Sequence, residues 1–214
     1  MCWSATADLV AGTAIAAAGV ACVAQVRRAR DLPLAALPLL LGAHQVIESV
    51  VWRSAGGAGP ATVAWAVIAL PLLPVWVPFG VLLAAPSRVR PRLVVPAAAG
   101  LATAAVLAYC LATRPVTAEI RGHTLAYVLD LPNSPLIIVG YLLATVGSLL
   151  LAKGPVLRLL GVLAGAGAVV CAALWRLEFV STWCALAAVV SVVMLRWVWR
   201  LPDGSADRQR STVP

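Results

Sequence analysis

The stretch LPLAALPLLLGAHQVIESVVW, residues 32–52, decides the fold. Its length matches the ~20 apolar residues that a helix needs to cross the ~30 Å hydrocarbon core of a bilayer. Three of its residues do not belong in such a setting: His44, Gln45 and Glu48. At i, i+4 and i+8, His44, Glu48 and Trp52 form one stripe of a helix, and Gln45 lies beside them, three residues before Glu48. An ionisable side chain inside a membrane span is expensive and is read first as a functional residue.

Working outward, the same apolar character recurs. Residues 5–26, 32–52, 60–85, 93–113, 134–153, 155–174 and 179–199 each read as a span, which predicts seven transmembrane helices. Mean hydropathy is +0.97 and only 11% of residues are charged, against about 25% in a soluble domain. Residues 1–203 therefore form one membrane domain, with a polar, disordered tail at 204–214.

The net charge of +8 does not point to nucleic acid, because of where it falls. Arg27, Arg28 and Arg30 follow span one, and Arg88, Arg90 and Arg92 follow span three. Lys153 and Arg158 surround the turn after span five, and Arg196, Arg200, Arg208 and Arg210 follow span seven. The alternate side receives only Arg53, Arg114, Arg121 and Arg176. By the positive-inside rule this predicts an outer N-terminus and a cytoplasmic C-terminus, in the cytoplasmic membrane of a bacterium. No basic segment precedes the first apolar run, so it does not read as a cleavable signal.

One connection is long. Residues 114–135, RPVTAEIRGHTLAYVLDLPNSP, alternate Val116, Ala118, Ile120 with Thr117, Glu119, Arg121, break at Gly122, and resume over 124–129. This predicts a short β-hairpin lying over the outer mouth of the bundle; a lid is the functional reading and a plain tether the structural one. The internal prolines Pro38, Pro71, Pro74 and Pro78 free carbonyls and kink helices. Glycine and alanine dominate spans one, four and six, permitting close helix approach.

The candidate site gathers at the outer helix ends. A protonated carboxyl withdrawn from water can act as a general acid, and Glu48 is placed for that, with His44 to orient or recharge it. The bland alternative is a His–Glu pair bridging helices. Asp8, on a stripe with Ser4, is either a proton acceptor or a helix-dipole or capping residue. Glu178 opens span seven, where Arg176 can neutralise it as a rim pair. Eight tryptophans stand against two phenylalanines. Trp3, Trp52, Trp65, Trp175 and Trp183 crowd the outer side. An interfacial belt accounts for most of them, but indole faces also stabilise cations. Tyr127 and Tyr141 can join that wall, and Gln45 and His123 complete the polar groups expected around a substrate.

Several chemistries drop out. A retinal Schiff base needs a lysine in mid-span, and Lys153 is the only lysine. A zinc hydrolase site needs about three histidines and an acid, and the chain has only His44 and His123. Haem between those two is a remote option. Neither metal nor cofactor is implied. Of Cys2, Cys22, Cys110, Cys171 and Cys184, all but Cys22 lie towards the outer face, where a disulfide is conceivable; small apolar helix residues are the simpler reading.

The opening Met1-Cys2-Trp3-Ser4-Ala5-Thr6-Ala7, the motif Leu37-Pro38-Leu39-Leu40 through His44-Gln45-Val46-Ile47-Glu48, and Ser181-Thr182-Trp183-Cys184 resemble a bacterial family of small integral membrane proteins of undefined function. The architecture is also similar to the integral membrane terpene cyclases of fungal meroterpenoid and bacterial indole-terpenoid pathways. The fungal enzymes depend on a glutamate in helix two and an acid in helix seven. The resemblance implies such roles for Glu48 and Glu178, although Glu178 opens its helix instead of lying within it.

Two functions therefore stand as expectations. One is metal-independent cyclisation of a prenylated, lipid-soluble substrate, with Glu48 donating a proton and Glu178 or Asp8 accepting one. The other is a small-solute or lipid transporter, or a lipid-binding membrane protein. Oligomeric state is not legible.

Overall fold

The structure, a computed structural model, describes residues 4–122, 124–174 and 179–200, and the side chains of these outside 171–185. Among the described residues it is helical apart from one two-stranded antiparallel sheet. Five helical segments are long and apolar enough to cross a membrane: Ala5–Ala24, Ala29–Arg53, Pro60–Ala84, Arg90–Thr113 and Ser134–Leu151. Two further helices follow, Pro155–Leu174 and Phe179–Trp199, whose described apolar stretches, Pro155–Val170 and Leu186–Trp199, are shorter. The hydropathy boundaries thus hold to within a few residues.

Helix α1 (Ala5–Ala24) is capped by Ser4, whose hydroxyl accepts from the Ala7 N–H at 3.2 Å. Its buried residues are Asp8, Gly12, Ile15, Gly19 and Cys22, a stripe of alternating four- and three-residue steps that keeps to one helix face. That stripe lies against α3 (Leu37–Arg53). A Cβ on Gly12 would sit 2.8 Å from the Gln45 Cβ, and one on Gly42 would sit 2.6 Å from the Ala16 backbone nitrogen. Small residues thus bring two backbones together, the usual basis of helix association in apolar surroundings.

The short helix α2 (Leu32–Ala35) precedes α3, and the chain breaks step at Ala36. Pro38 has no N–H to offer the preceding turn. The Trp76 indole N–H donates to the Pro33 carbonyl at 2.8 Å and so seals the break from a neighbouring span.

The third span divides into α4 (Pro60–Val67), a π-helical turn (Ile68–Leu72) and α5 (Leu73–Ala84). In the π turn the Leu73 N–H bonds back to the Ile68 carbonyl, five residues earlier. The Ala69 carbonyl thereby loses its α-helical partner, and its π-register partner is Pro74, which has no N–H. The Tyr141 hydroxyl, from α7 (Ser134–Leu142), donates to that carbonyl at 2.7 Å. Tyr141, expected in the aromatic wall, thus has its hydroxyl engaged by backbone. We expect Tyr141→Phe to lower stability by about 1–3 kcal/mol, the cost of an unsatisfied buried carbonyl, read as a fall in the thermal midpoint in detergent.

Past α7 a second π turn (Leu143–Gly147) leads into α8 (Ser148–Leu151). Helix α6 (Arg90–Thr113) packs against α5. It does so closely: a Cβ on Gly100 would lie 2.0 Å from the Pro74 carbonyl oxygen. Helices α9 (Pro155–Leu174) and α10 (Phe179–Trp199) complete the set. The largest apolar cluster joins Cys22, Leu34, Val81, Leu93, Leu149, Leu160 and Met194. It fills the end of the bundle that carries the arginine-rich turns.

Strands β1 (Thr117–Arg121) and β2 (Thr124–Val128) form the hairpin expected from the alternation. They pair Thr117 with Val128 and Arg121 with Thr124, and Gly122 turns the chain at φ +62°, as a two-residue hairpin loop requires. Ala118 and Tyr127 share the inner face; Glu119 and Arg121 pair on the outer face at 2.8 Å. The base of the hairpin is tied by Arg114, which donates to the carbonyl of Asp130 and pairs with its carboxylate at 3.2 Å.

Candidate functional site

At the end of the bundle opposite the arginine-rich turns, α1, α3, α4 and the hairpin bring polar side chains together under full burial. Asp8 and Glu48 are both 0% exposed, Gln45 2% and His44 7%. The indole of Trp65 is 1% exposed. Its ring stacks on Tyr127 with centroids 3.4 Å apart and planes within 3°, and the His44 imidazole tilts against it at 4.7 Å. Span two, span three and the hairpin thus contribute one ring each to a continuous His44–Trp65–Tyr127 column. The Trp52 indole lies beside the Asp8 carboxyl, without either completing a hydrogen bond.

Buried polar groups are normally satisfied, and the buried hydroxyls of this bundle follow that rule. The hydroxyls of Ser49, Thr145, Ser148 and Ser191 each donate to a carbonyl one turn back, at 2.7 to 2.9 Å. In the cluster, by contrast, both Asp8 carboxyl oxygens, His44 Nε2, Gln45 Oε1 and the indole nitrogens of Trp52 and Trp65 have no hydrogen-bond partner among the described residues. A concentration of unspent donors and acceptors in an apolar setting is costly.

The hairpin closes this place. Val51 of α3 packs with Ala118 and Leu125, and Trp65 and Ala66 of α4 pack with Val116. The α3–α4 turn joins the sheet: the Gly57 N–H donates to the Ala118 carbonyl at 2.7 Å and its carbonyl accepts from the Ala118 N–H at 3.2 Å. Gly56, at φ +77°, would place a Cβ 2.5 Å from the Ala118 oxygen. Gly56→Ala is therefore expected to lift the hairpin from the α3–α4 turn, read as faster limited proteolysis between residues 114 and 135. Cleavage at the wild-type rate would mean that this pairing does not hold the hairpin.

Of the residues selected from sequence, the fold brings Asp8, His44, Gln45, Glu48, Trp52, Trp65 and Tyr127 into one neighbourhood. Asp8 is not the helix cap, because Ser4 fills that position. Tyr141 bonds the Ala69 carbonyl. Trp3, His123, Trp175, Arg176 and Glu178 lie outside the described residues, as do the side chains of Ser181, Trp183 and Cys184. Cys22 and Cys110 are buried and free. Among the described residues no three His, Cys, Asp or Glu side chains group as metal ligands.

Sequence reading did not foresee the fit of the Trp65 ring between His44 and Tyr127, because residues 44, 65 and 127 share no local period. Nor did it foresee the Gly57–Ala118 pairing, although the run Ala55-Gly56-Gly57-Ala58-Gly59 signals a backbone in unusual conformations.

Fold and site together define an α-helical protein of membrane-spanning composition, with an acid–imidazole–indole cluster buried beneath a β-hairpin. The chain belongs to the family described as a family of unknown function (DUF6629), whose model matches residues 1–209. No curated protein and no solved structure matches it.

Proposed function

We propose that this protein is a membrane-embedded enzyme that cyclises a prenylated, lipid-soluble substrate by protonation. The observation that carries the reading is the burial of two carboxyls, Asp8 and Glu48, on packed helices α1 and α3, at the end of the bundle that the hairpin covers. Glu48 in its protonated form gives its proton to a terminal alkene or epoxide, forming a C–H or O–H bond and a carbocation. An internal double bond closes the ring onto that cation. Asp8, as carboxylate, removes a proton from the neighbouring carbon to leave an alkene, and Glu178 is the alternative acceptor. Substrate and product are isomers, so no oxidant or cofactor enters the balance. His44 returns the proton between turnovers.

Trp65 already stacks on Tyr127 and has His44 tilted against it. Cation stabilisation therefore falls to Trp52 and the outer face of Tyr127, with Trp3 and Trp183 as further wall residues and Gln45 and His123 as polar contacts. The hairpin is the lid. The chain spans the bacterial cytoplasmic membrane seven times, N-terminus outside, with the site near the outer leaflet; the distribution of arginines supports this orientation. Acid–base help of this kind supplies about 10²–10⁴-fold, and folding of the isoprenoid in a dry site supplies much of the remainder.

The test is incubation of protein-containing membranes with farnesylated aromatics, followed by chromatography and mass spectrometry. A product of unchanged mass and altered retention is expected. Unchanged substrate across every prenylated acceptor tried would overturn the reading.

A transporter is the second reading, favoured by the π turns that interrupt spans three and five, the first of them bonded by Tyr141 of α7. Interrupted helices near mid-span are common in carriers. Uptake of a labelled lipid or solute into proteoliposomes without chemical change would decide for it.

A further inference from the structure

At the end of the molecule away from the acid cluster, Arg88, Val89, Arg92, Leu151, Lys153 and Arg158 line a cleft of about 280 Å³. It lies between the turn that enters α6 and the turn that enters α9. Four cations around one concavity repel each other, so the arrangement needs an explanation beyond the general excess of basic residues on this side.

Nothing described in the chain neutralises them. The ion pairs of Arg114 and Arg121 belong to the hairpin end. Asp31, the described acid nearest this end of the bundle, sits beside Arg30 and Arg28. The two helices that start here add to the imbalance: neither α6 nor α9 has an acidic residue in its first turn, where one would offset the positive end of the helix dipole. The Val89 position offers no side-chain cap to α6 either.

One of the four cations is held in place. The Arg158 guanidinium donates through Nε to the Ala152 carbonyl at 3.1 Å, which leaves its terminal nitrogens for another acceptor. Among these cations Val89 and the exposed Leu151 supply apolar lining, and Val89 packs on the cluster of the buried Leu93, Leu149 and Leu157. Four cations with apolar side chains among them match a phosphate ester that carries a hydrocarbon portion.

We infer that this cleft is a binding site for a phosphate-bearing anion, namely the headgroup of an anionic phospholipid. Arg88, Arg92, Lys153 and Arg158 engage the phosphate oxygens, and the first acyl carbons pass along Val89 and Leu151. Basic pockets between membrane helices are established places for such headgroups. The inference is independent of the chemistry at Asp8 and Glu48.

The experiment is native mass spectrometry of the full chain, released from bilayers of phosphatidylglycerol or of phosphatidylcholine. Preferential retention of phosphatidylglycerol is expected. The triple variant Arg88→Ala, Arg92→Ala, Lys153→Ala, which keeps the Arg158 bond to Ala152, should weaken retention roughly a hundredfold, at about 1 kcal/mol per cation. The control pair Arg196→Ala, Arg200→Ala on the same side should leave it within about twofold, as expected for screened surface charges. Should the triple variant not fold, Arg92→Gln alone is expected to weaken retention about fivefold. Equal retention of the two lipids by the wild-type chain, or equal losses in cleft and control variants, would overturn the inference. Displacement of the lipid by millimolar inorganic phosphate would assign the cleft to a soluble phosphate instead, whereas persistence of the lipid supports the headgroup.

Discussion

Glu48→Gln is expected to reduce conversion of a prenylated substrate by about 10²–10⁴-fold, the range associated with losing a positioned proton donor. The side chain is completely buried, and glutamine keeps its volume and most of its hydrogen-bonding capacity while offering no acidic proton. The thermal midpoint should therefore change little. That combination separates the catalytic role from a purely architectural one. If Glu48 served mainly to tie α3 to its neighbours, the substitution would lower stability and leave conversion untouched. Measuring both quantities on one membrane preparation distinguishes the cases, and full conversion by the variant would remove Glu48 from the mechanism. Asp8→Asn, made in parallel, addresses the accepting step.

Gly42→Val is the substitution expected to cost most in stability. Even a single Cβ at this position would lie 2.6 Å from the Ala16 nitrogen and 2.8 Å from the Ala16 Cα. Those are backbone atoms of α1, so the strain cannot be relieved by rotating a side chain. Either α1 moves bodily outward or the pair comes apart. Overpacking of this kind costs about 1–3 kcal/mol, and the rigidity of the backbone partner argues for the upper end. The damage extends upward along the stripe, because Gly12 and Asp8 lie on the same face of α1. Separation of α1 from α3 carries Asp8 away from Glu48. A lowered thermal midpoint together with reduced conversion is expected, measured against Gly165→Ala. There the new Cβ meets only the side-chain Cγ1 of Val146 at 3.3 Å, a few tenths of an ångström inside ordinary contact, and the effect should be slight. A Gly42→Val protein as stable as the wild type would show that the close approach of α1 and α3 does not hold the bundle.

Much of the site was legible because a bilayer makes polar residues conspicuous. His44 and Glu48 stood out as ionisable groups in an apolar run, and their helical spacing put them on one stripe without knowledge of the neighbours. Asp8 was ambiguous on sequence, since a carboxylate in a first helical turn has a ready local explanation; Ser4 serves as the cap, which removes the capping half of it, while Asp8 remains in the first turn of α1 and is fully buried. Tyr141 was expected to join the aromatic wall. Its hydroxyl partner exists only because the helical hydrogen-bond register slips at residues 68–72, and nothing in the sequence around Tyr141 records that slip.

What the amino-acid order determined by itself was local and periodic. The span limits follow from runs of apolar residues, since each backbone must satisfy its own hydrogen bonds in lipid. The hairpin over 117–128 follows from two-residue alternation and a glycine at its turn. The tertiary structure alone decided which of these elements touch. Close packing at Gly12, Gly19 and Gly42 sets the Asp8 face of α1 against α3, and the fold-back of the hairpin lays Tyr127 on Trp65, against which His44 also tilts. Such meetings depend on shape fit between segments far apart in the chain, which no periodicity within one segment encodes.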